Sequence, residues 1–164
     1  VDEILTSILS MIHRNPFQEG QDRINFVDEY LVKTNQPIND YNRCMHLLNP
    51  DGIVYESLNA VKMGLEQNMR DKMHFVDYND MVSNPEQVME DIYDFLGEEY
   101  YDHTFDGLSN IHRENDLNTY GLGDMHEVHS KLEKTSASPE SVLPEEIIAL
   151  YENNKKQMEF WQSK

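Results

Sequence analysis

Apolar residues recur at helical spacing from the first positions of the chain. Ile4, Leu5, Ile8, Leu9, Met11 and Ile12 cover a broad face of residues 3–14 and predict a well-buried helix. Asn15-Pro16 ends it, because the residue before proline is pushed out of the helical region, and Gly20 extends the break. Ile24, Val27, Tyr30 and Leu31 predict a second helix over about 22–34, interrupted by Asn35 to Pro37. Ile38, Tyr41, Met45 and Leu48 form the inward stripe of a third over about 38–48. Asn49-Pro50-Asp51-Gly52 reads as a turn. Val54, Leu58, Val61 and Leu65 then give a fourth helix over about 53–68.

The pattern changes at Met73-His74-Phe75-Val76-Asp77-Tyr78. This run is short, rich in large apolar side chains and bounded by Arg70-Asp71-Lys72 and Asn79-Asp80, which predicts one core strand at 73–78. In Ser83-Asn84-Pro85-Glu86, Asn84 can cap a helix, Pro85 suits its first position and Glu86 favours its positive end. Val88, Ile92, Phe95 and Leu96 form its apolar stripe, and Gly97 ends it. Residues 98–142 lack sustained periodicity. A loop this long inside a compact domain is functional or disordered, and 135–139 is expected to be its most mobile stretch. Leu143-Pro144-Glu145-Glu146 opens a final helix that can dock through Ile147, Tyr151, Met158 and Trp161. The chain thus reads as mostly helical around one strand, a single domain over 1–164.

Composition narrows the function classes. A domain of 164 residues buries about 68–70% of the surface its unfolded chain exposes. Cys44 stands alone, so a disulfide scaffold is excluded. No apolar run approaches the roughly 20 residues of a bilayer span. Thirteen Lys plus Arg against 31 Asp plus Glu give a net charge of −18, which should repel nucleic acid and anionic membranes. No nucleic-acid partner is therefore expected, and a cytoplasmic location is expected as well. The chain opens Val1-Asp2-Glu3 with neither Met nor signal peptide, and a helical pattern begins at once. A further N-terminal part is expected.

Several chemistries can be weighed on spacing. His103, His112, His126 and His129 raise a metal question, but His126 and His129 stand one residue short of the zinc-helix spacing. Loop histidines bonded to backbone are the commoner outcome, and no metal site is assigned. Asp77, Asn79 and Asp80 superficially resemble a calcium loop, yet Val82 replaces the required glycine and Val88 the bidentate glutamate. No phosphate loop, dinucleotide fingerprint or nucleophile elbow is present. Cys44 falls in an apolar pattern and reads as packed and inert. Most of the nine methionines fall at core spacing, as filling or as a binding surface. Between Gly121 and Ser138 the chain gathers His126, His129, Lys131 and Lys134 with Ser130, Thr135 and Ser136. Cations and small hydroxyls on such a loop can hold a phosphate or sulfate, or can be a solvated surface.

Three segments together resemble the sulfotransferase family. The run from His74 to Glu86, with Ile92-Tyr93-Asp94-Phe95-Leu96-Gly97, is similar to a buried strand ending in Tyr-Glu-Asp-Leu followed by a proline-started helix closing on Phe-Leu-Gly. Asn79 stands in place of the usual Glu. The run from Asp124 to Ser136, with Val142-Leu143-Pro144 and Phe160-Trp161, resembles the tail of bacterial and marine members; His129 stands where an Arg is expected. The opening Val1 to Ser7 is similar to the segment in which a Ser follows an Arg by eight residues, and Ser7 would be that Ser.

The resemblance implies an α/β, P-loop-like fold that uses 3′-phosphoadenosine 5′-phosphosulfate as donor and releases adenosine 3′,5′-bisphosphate. It also implies that this chain is the C-terminal portion of such a domain, because the family's phosphosulfate loop and catalytic His have no counterpart here. By resemblance, Ser7 would donate to the 3′-phosphate, Tyr78 would line the adenine pocket from the strand end, and Lys131 and Lys134 would close over the 3′-phosphate. Each residue also has a plain structural role open to it: a helix-surface Ser, a core aromatic, surface lysines. His13 could act as general base toward an acceptor hydroxyl or belong to a turn. The acceptor would be a small molecule or glycan, and an uncovered apolar face would invite a homo-oligomer. The alternatives are a non-catalytic acidic helical binding module and a protein binding zinc through the four loop histidines.

Overall fold

The computed structural model describes residues 1–17, 23–110, 115–123, 125–126, 128–135 and 137–152. They fall into two compact units. The first lies within Val1–Leu58, Asn115–Met125 and Ser136–Lys164, the second within Asn59–Glu114 and His126–Thr135.

In the first unit, α1 (Asp2–Arg14) buries Leu5, Thr6, Leu9 and Ile12, one stripe at helical spacing. Asp2 and Glu3 in its first turn and His13 and Arg14 in its last complement the helix dipole. Asn15 turns the chain away, its Nδ2 donating to the carbonyls of Met11 at 3.0 Å and Gly123 at 3.3 Å. Helix α2 (Phe26–Lys33) begins later than the apolar pattern suggests, because Asn25 caps it by accepting from the Asp28 N–H at 2.9 Å. Helix α3 (Asp40–Leu48) is capped the same way by Asn39. Its inner stripe agrees in part with expectation: Met45 and Leu48 pack against the core, but Cys44, His46 and Leu47 are the buried residues and Ile38 and Tyr41 are exposed. The turn at 49–52 forms as expected. There the Gly52 N–H donates to Asn49 O at 2.7 Å, and a Cβ on Gly52 would run into the carbonyls of His46 and Leu47.

Helix α4 (Ile53–Glu66) leads out of this unit; Val54 is buried, and Leu58 and Val61 are exposed. Later in the chain, α7 (Asp116–Tyr120), α8 (Pro139–Val142) and helical residues 145–152 return to it. Helix α1 packs on α3 and α8, and α2 on α3. Leu5, Leu9, Ile12, Val27, Cys44, Leu47, Val54, Leu122, Leu143 and Ile147 make one core. Met158 and Trp161, expected to dock in the final helix, lie outside the described residues.

The second unit contains a 3₁₀ turn (Arg70–Lys72), an irregular stretch over 73–77, α5 (Tyr78–Ser83) and α6 (Pro85–Leu96) packed on α5. Pro85 opens α6 and Gly97 closes it at φ 71°, a left-handed conformation suited to glycine. Asn84 occupies the cap position without a side-chain cap bond. A brief antiparallel pairing joins Asp106 to Lys131, with Leu108 N donating to Ser130 O and Leu132 N to Phe105 O. Among the described residues of this unit only Gly64 is buried.

The predicted core strand at 73–78 is corrected here. Met73 and Asp77 have extended backbone, but 73–77 forms no regular element, no described segment pairs with it, and Tyr78 is already the first residue of α5. A strand needs a ladder partner to become one. The apolar side chains that suggested burial are about half exposed: Phe75 at 50% and Val76 at 43%. The described residues are therefore mostly helical, as expected, but without the expected strand.

Candidate functional site

The carboxylate of Asp77 caps α5, its Oδ1 accepting from the backbone N–H groups of Asn79 at 2.7 Å and Asp80 at 3.4 Å. This cap sets Tyr78 and Asn79 on the first turn, and Tyr78 is 46% exposed. The pairing of 105–108 with 130–132 anchors the chain just before Lys134. Lys134 Nζ then donates to Asn79 Oδ1 at 2.7 Å. A cation thus stands beside the residue next to Tyr78, although the two are far apart in sequence. Lys131 is exposed on the bridge itself.

The second unit therefore holds Tyr78, Lys131 and Lys134, and brings Lys134 to the start of α5. Ser7 is an exposed residue of α1 in the first unit. Asn79 is the residue that sequence reasoning missed as a partner for Lys134. A neutral carboxamide there accepts the ammonium hydrogen bond without cancelling its charge. An open cavity of about 710 Å³ in the same unit is lined by residues including Leu65, Arg70, His74 and Phe95, and by none of the candidate binding residues.

Other candidates find partners elsewhere. His13 Nε2 lies 3.0 Å from both carboxylate oxygens of Asp40, so this nitrogen is committed to a structural pair. Asp40 also accepts from Arg43 Nη1 at 2.8 Å, and Arg43 grips Asp28 through Nε and Nη2 at 2.7 Å each. Asn25 Nδ2 completes the chain on Asp28 Oδ2. Burial acts to raise the Asp40 carboxyl, but the hydrogen bonds from His13 and Arg43 prevail and hold it below its ordinary value. The spacing of Asp40 and Arg43, three apart on a helix, was a signal for part of this network.

The expectation of an inert Cys44 agrees with the structure: burial, then the Asp40 charge, pushes its thiol up to about 12. His103 Nε2 lies 3.1 Å from the Tyr93 hydroxyl, amid the rings of Tyr100, Tyr101 and Phe105. His112 lies outside the described residues, and among those described no group of three metal-ligating side chains occurs.

Residues 10–138 match the family model of the sulfotransferase domain, and the chain belongs to that family. No curated protein and no solved structure matches the chain. Among the described residues no helix is long and apolar enough to cross a membrane.

Proposed function

We propose that this chain serves transfer of a sulfuryl group from 3′-phosphoadenosine 5′-phosphosulfate to a hydroxyl or amine of a small molecule or glycan. In that reaction the acceptor oxygen or nitrogen bonds to sulfur as the bond from sulfur to the phosphate oxygen breaks. Adenosine 3′,5′-bisphosphate leaves with the bond's electron pair, and the acceptor proton passes to a base. Little covalent chemistry is asked of the protein; positioning and fixed positive charge carry the rate. Lys134 and Lys131 offer positive charge that binds the donor's 3′-phosphate, and Tyr78 offers its half-exposed ring to adenine.

The observation that carries the proposal is the Lys134–Asn79 hydrogen bond beside Tyr78, within a sulfotransferase-domain match. In a chain of net charge −18, a polyanion needs such a local cation to bind at all. The exposed apolar side chains of the second unit favour a second reading, a binding module without activity. Calorimetric titration with adenosine 3′,5′-bisphosphate separates the two. The proposal expects saturable binding that weakens about tenfold or more in Lys134→Ala, the size of a lost hydrogen bond to a charged group. Absence of binding, or equal affinity in the variant, supports the module.

A further inference from the structure

We propose that Asn79 is a positioning residue that sets the chain's affinity for a 3′-phosphate, by holding Lys134 through a neutral acceptor; this deepens the sulfuryl-transfer reading and rests on it. Lys134 is exposed and follows Leu132, whose N–H donates to Phe105 O. A lysine side chain at such a place has many rotamers to lose before its ammonium can meet an anion. The ammonium carries three N–H donors and no acceptor. One of them goes to Asn79 Oδ1 at 2.7 Å, the short length of a hydrogen bond from a charged donor. That bond fixes the head group of the lysine ahead of any ligand, and it neutralises no charge.

The neighbours of Asn79 give the neutral acceptor its meaning. Asp77 stands two residues before it and Asp80 directly after, in a chain of 31 acidic and 13 basic residues. The Asp77 carboxylate is spent on the first turn of α5, where Oδ1 accepts from the N–H groups of Asn79 and Asp80. Lys134 meets the carboxamide between these acids. A carboxylate at position 79 would accept the same hydrogen bond from Lys134. It would also set a negative charge against the ammonium, and a phosphate arriving there would meet a neutral pair instead of a cation. An opposed unit charge about 4 Å away costs a phosphate dianion roughly a factor of ten in affinity, even in water. Asn79 thus separates two jobs that a carboxylate would merge: it orders the lysine and it spares its charge.

Calorimetric titration of the full chain with adenosine 3′,5′-bisphosphate tests this. Asn79→Asp keeps an acceptor oxygen in place, and an acid in the first turn of a helix is favourable there, so the fold is spared. If Asn79 only positioned the lysine, this variant would bind as the native chain does. The expected result is about tenfold weaker binding, with a gap that narrows as salt is raised. Adenosine 5′-monophosphate should lose much less. Asn79→Ala, which releases the lysine without cancelling its charge, should weaken bisphosphate binding roughly fivefold, at low and high salt alike. Asn84→Asp adds the same charge at the cap position of α6 and should bind within about twofold of the native chain. Native affinity in Asn79→Asp, or an equal loss in Asn84→Asp, would overturn the proposal and leave the sulfuryl-transfer reading standing. A native chain that does not bind the bisphosphate would overturn both.

Discussion

Arg43 shows how a single side chain organises the first unit. Its guanidinium spans two carboxylates, Asp28 on α2 and Asp40 on its own helix, and Asp40 in turn holds His13 at the end of α1. The side chains of Arg43 and Asp28 are only 14% and 10% exposed, so neither can fall back on water if the other is removed. Replacing Arg43 by Met should therefore destabilise the fold by about 3 kcal/mol, read as a fall in the denaturant midpoint. An unchanged midpoint would mean that the pair contributes nothing.

His46 makes the pH response of the same unit legible. It stacks on Tyr30 with ring centroids 3.7 Å apart, and its buried Nδ1 has no hydrogen-bond partner. Burial, only partly offset by Asp51, holds the imidazole below its ordinary 6.5. Between the folded and ordinary values the unfolded chain binds more protons, so stability is full above about pH 6.5 and is lost as pH falls toward the folded value. The depressed Asp40 acts in the same direction, but only as pH falls below its ordinary 3.8. Thermal midpoints should thus decline between pH 7 and 5 in the native chain and decline less in His46→Phe. Equal slopes would remove His46 as the cause.

At the scale of elements, the sequence was readable where one face of a helix met a core. Helix α1 lies where its apolar stripe put it, and the turn at 49–52 and the Pro85–Gly97 boundaries follow from local backbone chemistry. Of the stripe expected on α3, Met45 and Leu48 pack against the core, but Ile38 and Tyr41 are exposed and Cys44 and Leu47 are the buried residues, with Arg43 pairing in a way invisible to an apolar count. The run at 73–78 has the composition of a strand, but composition cannot supply the neighbour that a ladder requires. At the candidate site, Tyr78, Lys131 and Lys134 were named from the sequence, and they fall in one unit. The Lys134–Asn79 contact was not, since it joins positions far apart in the chain through the 105–108 and 130–132 pairing.

Taken whole, the described chain is unevenly consolidated. The large buried apolar side chains all belong to the first unit. The second unit keeps Phe75, Val76, Phe95, Leu96 and Tyr101 in solvent while presenting the lysines of the candidate site. On the proposed function, a chain of net charge −18 binds a polyanionic donor through a few placed cations. The sharpest test is the affinity for adenosine 3′,5′-bisphosphate set against that for adenosine 5′-monophosphate, in the native chain and in Lys134→Ala. A marked preference for the bisphosphate that disappears in the variant is the expected result. Equal affinity of the native chain for both nucleotides would contradict the assignment of Lys134 to the 3′-phosphate.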